Sequence, residues 1–107
     1  MKVMKFGGTS VGKPERMHQV AQLITKDQDP KIVVLSALSG TTNTLVSIGD
    51  ALSKGEKENA KQIIDKLEAH YHHFVQSLLH QEGTKAKATA ILAEHFEFLN
   101  IITKISF

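Results

Sequence analysis

The chain has 107 residues, 41% of them hydrophobic and 22% charged, which is the composition of one ordinary soluble globular domain. Thirteen basic and 11 acidic residues leave a net charge of +2, too mild to make nucleic acid or a membrane surface the expected partner. There is no cysteine, so disulfides and thiolate metal sites are excluded, and a reducing compartment is compatible with that. No signal-peptide core and no apolar run long enough to cross a bilayer is present.

Lys2 to Phe6 is short and largely apolar and stops at Gly7-Gly8, so it reads as a buried strand ending in a turn. A polar turn, Thr9 to Lys13, leads to Pro14, which suits the first turn of a helix. Met17, Val20, Ala21 and Ile24 follow at i, i+3, i+4, i+7, one helical face. That helix should fade before Pro30. Ile32 to Leu35 is a second strand, apolar without alternation, as expected of a strand covered on both faces. The order strand, glycine loop, helix, strand predicts a parallel βαβ unit. A second small-residue loop, Ser36 to Asn43, leaves that strand, and Leu45, Ile48, Gly49 and Leu52 supply another helical face.

From Gly55 the pattern becomes helical throughout. Ala60, Ile63, Ile64, Leu67, Tyr71, Phe74 and Leu78 form one stripe, Glu82-Gly83-Thr84 interrupts it, and Ala88, Ile91, Leu92, Leu99 and Ile102 form another. Two such helices make an αα-hairpin. Phe96, Phe98 and Phe107 read as core or contact residues. The predicted division is 1–53, carrying the loops, and 54–107, the hairpin. Two strands are too few for a covered parallel sheet. The expected fold is therefore a partial three-layer α/β/α domain, with the remainder of the domain missing.

The chemistry lies in the two loops. Paired glycines after a parallel strand let backbone amides approach a bulky anion, with the next helix N-terminus and the Thr9 and Ser10 hydroxyls beside them. Lys5 interrupts an otherwise buried strand just before this turn, where an ammonium can reach a phosphate chain. A tight turn with an incidental lysine is the plainer alternative. Gly7 and Gly12-Lys13 match the P-loop spacing, but Pro14 stands where that motif needs a hydroxyl, so it is rejected. The dinucleotide fingerprint is absent as well. In a parallel sheet the second loop leaves the same edge as the first. Its Ser36, Ser39, Thr41, Thr42 and Asn43 could orient a polar substrate or cap the next helix. His70, His72 and His73, with His80 and His95, form an incomplete ligand set and read as surface histidines, so no metal site is assigned.

Lys5-Phe6-Gly7-Gly8-Thr9-Ser10-Val11, followed by Val33-Val34-Leu35-Ser36-Ala37 and Gly40-Thr41-Thr42-Asn43, resembles the N-terminal end of the aspartokinase family, within the amino acid kinase fold. The likeness covers about the first 50 residues well, and the hairpin resembles that family's helical excursion by pattern only. The resemblance implies an ATP-dependent transferase of the cytoplasm. Its reaction would be phosphorylation of the aspartate side-chain carboxylate to 4-phospho-L-aspartate, in lysine, threonine and methionine biosynthesis. It further implies a catalytic role for Lys5, contacts to ATP phosphates from Lys5, Gly7, Gly8, Thr9 and Ser10, and contacts to the amino acid from Ser36 and Thr42. ATP, Mg2+ bridging its phosphates, L-aspartate and a homo-oligomeric assembly are the implied cofactors and partners. The family's later acidic residue, its arginine and aspartate motif and its base pocket have no counterpart here, so the 107 residues alone are expected to be inactive. The alternatives are a non-catalytic helical interaction module, or a kinase of glutamate or a carbamate.

Overall fold

The computed structural model describes residues 1–105. In chain order it contains β1 (Lys2–Phe6), α1 (Pro14–Ile24), β2 (Lys31–Leu35), α2 (Thr41–Ser53), α3 (Lys57–Leu78) and α4 (Glu82–Ile102). This is the expected βαβ unit, helix and helical hairpin. The chain divides into two compact units, Met1–Thr41 and Thr42 onward, so that all of α2 beyond its first residue groups with the hairpin.

In the first unit β1 and β2 pair in parallel, with Val3 opposite Ile32, Lys5 opposite Val34 and Phe6 opposite Leu35. The Ser36 N–H carries the ladder one step on by donating to the Phe6 carbonyl at 3.0 Å. Proline opens α1 as expected, and the helix closes at Thr25, whose N–H and hydroxyl both donate to the Ala21 carbonyl, at 3.0 and 2.7 Å. The turn back to β2 is tied by Asp27. Its carboxylate accepts from Lys31 Nζ at 2.9 Å, Lys2 Nζ at 3.2 Å and the Asp29 N–H at 3.0 Å. Lys31 Nζ also donates to the Ile24 carbonyl at 2.6 Å, satisfying a helix end that has no intrahelical donor left for it.

Successive side chains on a strand alternate between faces. With the observed register, Val3, Lys5, Ile32 and Val34 therefore share one face of the sheet. That face is uncovered: Val3, Ile32 and Val34 are 69%, 51% and 47% exposed. The expectation of strands buried on both faces does not hold for these residues, because only the other face, with Met4, Phe6, Lys31 and Val33, becomes half-buried. An apolar run without alternation encodes two faces suited to burial, and here one of them lacks a covering layer.

The second unit has its own core, in which Ile48, Ala51 and Leu52 of α2 meet Ala60, Ile64 and Leu67 of α3 and Phe96 of α4. A Schellman closure sets the α2–α3 turn. The Gly55 N–H donates to Leu52 O at 3.0 Å and the Glu56 N–H to Ala51 O at 2.8 Å. Gly55 sits at φ +76°, a conformation that a side chain would strain. The hairpin break falls at residues 79–81 rather than at Glu82-Gly83-Thr84. Glu82 and Gly83 start α4 instead, where an acidic residue suits the positive helix end and a glycine interrupts few intrahelical bonds. Of the large apolar residues placed on the stripes, Leu45 and Ile91 are exposed at the surface. Of the phenylalanines, Phe96 is core and packs its ring 6.0 Å from that of Tyr71, whereas Phe98 is exposed. Phe107 lies outside the described residues. Among the described residues no helix is long and apolar enough to cross a membrane.

Candidate functional site

The candidate site stands where β1 and β2 both end, at the C-terminal edge of the sheet. The first loop folds on itself through Ser10 N–H donating to Gly7 O at 3.0 Å and Gly12 N–H to Thr9 O at 3.4 Å. Val11, 1% exposed, is its apolar anchor. The second loop turns at Gly40, φ +85°, and Thr41 N–H donates to Leu38 O at 3.1 Å.

Glycine lets these two loops touch. A Cβ built on Gly8 would lie 3.5 Å from the Ala37 carbonyl oxygen and 3.6 Å from Ser36 Oγ. One built on Gly12 would lie 3.0 Å from both the Gly8 carbonyl oxygen and Ser39 Cβ. Around Gly7, by contrast, nothing comes within 4 Å of where a Cβ would be. The turn is thus packed against the second loop on its Gly8–Gly12 side and open at Gly7.

Donors collect at this open side. The Gly8 and Thr9 amides have no hydrogen-bond partner among the described residues. The N-cap of α1, Lys13, is extended and supplies no side-chain cap, so the first-turn amides keep their partial positive charge. Lys5 is exposed one residue before Phe6. No ion pair or hydrogen bond holds its ammonium among the described residues. An anion presented to this edge would meet amides, a helix start and one cation.

The structure therefore brings Lys5, Gly7, Gly8 and Ser36 to one edge, with Gly8 against Ser36. Thr9 and Ser10 line a cleft of about 360 Å³ together with Phe6, Arg16, Gln19, Val20 and Leu23. Thr42 is not in a loop: it is the second residue of α2, exposed, and belongs to the other unit. Thr41, the first residue of that helix, is buried. One residue at the site, Arg16, was not singled out from the sequence. Arg16 donates through Nη1 to the Thr9 carbonyl at 3.1 Å, and Ser39 is the wall against Gly12. The signal for Arg16 was its place in the first turn of α1, directly behind the glycine loop.

The histidines do not assemble into a centre. Among the described residues there is no group of three or more His, Asp or Glu that could hold a metal ion. His70 instead sets its ring edgewise to Tyr71 and Phe74, at 6.1 and 6.5 Å.

The model of the amino acid kinase family matches residues 1–106. Aspartokinase 3 of the Arabidopsis thaliana chloroplast is 40% identical over 103 residues, covering 95% of this chain and 18% of that protein. Lysine-sensitive aspartokinase 3 of Escherichia coli is 44% identical over 55 residues, 51% of this chain and 12% of that protein. The chain thus spans less than a fifth of the length of either. A Haemophilus influenzae protein bearing the name "Putative inactive aspartokinase 3" is 29% identical over 107 residues, 89% of this chain and 86% of its own length. The resemblance first carried by the two loops is borne out by these matches.

Proposed function

Since the chain belongs to the amino acid kinase family, we propose that it forms the phosphate-gripping and substrate-facing edge of an aspartate kinase, completed by further chain. The observation that carries this reading is the packing of the glycine turn directly on the Ser36 loop, with Lys5 on the strand beneath them. A phosphoryl donor and an acceptor would have to meet at such a junction.

In the proposed reaction a side-chain carboxylate oxygen of aspartate forms a bond to the γ-phosphorus of ATP. The bond to the β,γ-bridging oxygen breaks, and its electron pair leaves with ADP. Catalysis of this kind is positioning and charge stabilisation. The Gly7 and Gly8 backbone, the Thr9 and Ser10 hydroxyls and the uncapped start of α1 hold the phosphates. Lys5 neutralises charge on the transferred group. Ser36 orients the acceptor carboxylate, and Thr42 is assigned to the same substrate by the family resemblance alone. The free amides and the open space at Gly7 fit a polyphosphate, and Mg2+ would supply further charge neutralisation there, carried with the nucleotide, since among the described residues no group of three or more His, Asp or Glu would hold it.

The test is a hybrid in which these 107 residues replace the matching segment of the Arabidopsis aspartokinase. We expect aspartate-dependent ADP release from the hybrid, none from the 107 residues alone, and a loss of orders of magnitude in kcat with Lys5→Ala. Equal turnover with and without Lys5 would remove it from the mechanism. A hybrid that prefers glutamate would overturn the substrate. A second reading, a non-catalytic member of the family, is favoured by the Haemophilus relative of similar length named inactive. A folded hybrid without any transfer activity would select it.

A further inference from the structure

The glycine turn is two overlapping turns that share one peptide. Ser10 N–H donates to Gly7 O at 3.0 Å, and Thr9 O accepts from Gly12 N–H at 3.4 Å, so the Thr9–Ser10 peptide is tied at both ends. The second tie is longer than an ordinary N–H···O bond. Arg16 Nη1 adds a shorter one, 3.1 Å, to the same Thr9 carbonyl, and a charged donor makes the stronger bond. The preceding peptide, Gly8–Thr9, has no hydrogen bond at either end among the described residues. Its carbonyl oxygen lies against Gly12, and because a trans peptide is planar the Thr9 N–H is directed away from Gly12. Only the neighbouring peptides hold that amide in place. Arg16 is the third residue of α1, where the positive helix end disfavours a cation, and no carboxylate pairs with it among the described residues. Its one hydrogen bond is to the loop, so what Arg16 does for the chain it does through Thr9.

We propose that Arg16 is a positioning residue of this edge. By holding the Thr9 carbonyl it fixes the Thr9–Ser10 peptide, and through it the unpartnered Gly8 and Thr9 amides, in the orientation that receives a polyphosphate. The amides meet the ligand, and Arg16 acts at one remove. The inference rests on the phosphate-gripping reading of the turn and adds to it the residue that keeps the turn in shape before a ligand arrives.

The experiment uses this chain and two variants. Arg16→Met keeps an unbranched stem without a donor, and Arg16→Lys keeps a charged donor. In the ligand-free chain, amide hydrogen exchange at Ser10 and Gly12 should be roughly tenfold faster in Arg16→Met, the loss expected of one charge-assisted bond. Exchange at Thr25, which closes α1, should be unchanged, and Arg16→Lys should restore most of the protection at Ser10 and Gly12. Inorganic tripolyphosphate, followed by NMR, should give saturable shifts at the Gly8 and Thr9 amides of the parent. Its affinity should fall roughly tenfold in Arg16→Met and recover in Arg16→Lys. In the hybrid with the Arabidopsis aspartokinase, Arg16→Met should raise KM for ATP and leave KM for aspartate unchanged. Unchanged exchange at Ser10 and Gly12 overturns the positioning role even where affinity falls, because Arg16 would then act as a direct charge. Faster exchange with unaltered tripolyphosphate affinity, or a rise confined to KM for aspartate, overturns it too. A parent chain without shifts at Gly8 and Thr9 overturns the phosphate-gripping reading and this inference with it, whereas parent binding that Arg16→Met leaves intact overturns the role of Arg16 alone.

Discussion

Two glycines of one turn are expected to behave oppositely when given a methyl group. At Gly12 the new Cβ would stand 3.0 Å from the Gly8 carbonyl oxygen and 3.0 Å from Ser39 Cβ, so backbone must shift to admit it. Gly12→Ala should therefore destabilise the chain by about 1–3 kcal/mol, the usual cost of overpacking. Gly7 has open space around it and no left-handed backbone, so Gly7→Ala should stay within about 0.5 kcal/mol of the parent. Urea denaturation of the two variants checks both values, and equal losses would show that the loops do not pack as described. Asp27 carries a third expectation at this scale. Hydrogen bonds from Lys31, then Lys2, then the Asp29 N–H lower its pKa from 3.8 to about 2. A pKa depressed on folding stabilises the fold above the unfolded value and loses that contribution as the carboxylate protonates. The contribution of Asp27 should be whole above about pH 4 and fade as the pH falls towards 2. Asp27→Asn should be less stable than the parent at neutral pH, with the difference narrowing in acid. A difference constant across that range would show that the carboxylate charge contributes nothing.

Within the helices the buried stripe decides what a substitution costs. Ile64 is fully buried between α2, α3 and α4, so Ile64→Ala should cost about 2–5 kcal/mol. Ile91 belongs to the same kind of sequence stripe but is 58% exposed, so Ile91→Ala should change stability by no more than about 0.5 kcal/mol. Thermal or urea unfolding distinguishes them, and a large loss at Ile91 would mean that α4 is rotated from the described position. The pair also shows what was legible in the sequence. The elements and their order were readable because Gly7-Gly8, Pro14, Pro30 and Gly55 punctuate runs of clear period. The 3.6-residue pattern selects a face about 100° wide, so Ala60, Ile64, Leu67 and Phe74 were found. It does not fix the centre of that face, and residues at its edge, Leu45 and Ile91, were misplaced for that reason. The site was half legible. The glycines and hydroxyls announce a loop that approaches something closely. The contact between the two loops and the Arg16 bond to Thr9 are tertiary, and no local pattern encodes them.

At the scale of the whole molecule the surface predicts self-association. Val3, Ile32 and Val34 are brought side by side on one sheet face by the parallel register, and all three are about half exposed or more. β1 and β2 form a two-stranded sheet, so each has an outer edge with unpaired N–H and C=O groups among the described residues. Exposed hydrophobic edges recruit other strands, and contiguous apolar patches mark contact surfaces. Among the described strand residues Lys5 is the only charged one on that face, and one ammonium on a flexible stem is a weak deterrent to burial of its neighbours. In α4, Ile91, Phe98 and Ile101 add exposed apolar area on a separate element. The chain should therefore sediment as a dimer or larger species rather than at its own mass of 11.8 kDa. The sheet and the helix are separable by mutation. Ile32→Lys together with Val34→Lys places two more like charges beside Lys5, which repel any strand or face that docks there. If the sheet face drives assembly, this double variant should return to the monomer with the helical content of the parent, whereas Phe98→Ser should leave the assembly intact. The reverse result would assign assembly to α4. A parent chain that remains a clean monomer at high concentration in sedimentation or light scattering would refute association altogether, and would mean that a half-covered two-stranded sheet is tolerated in water by this fold.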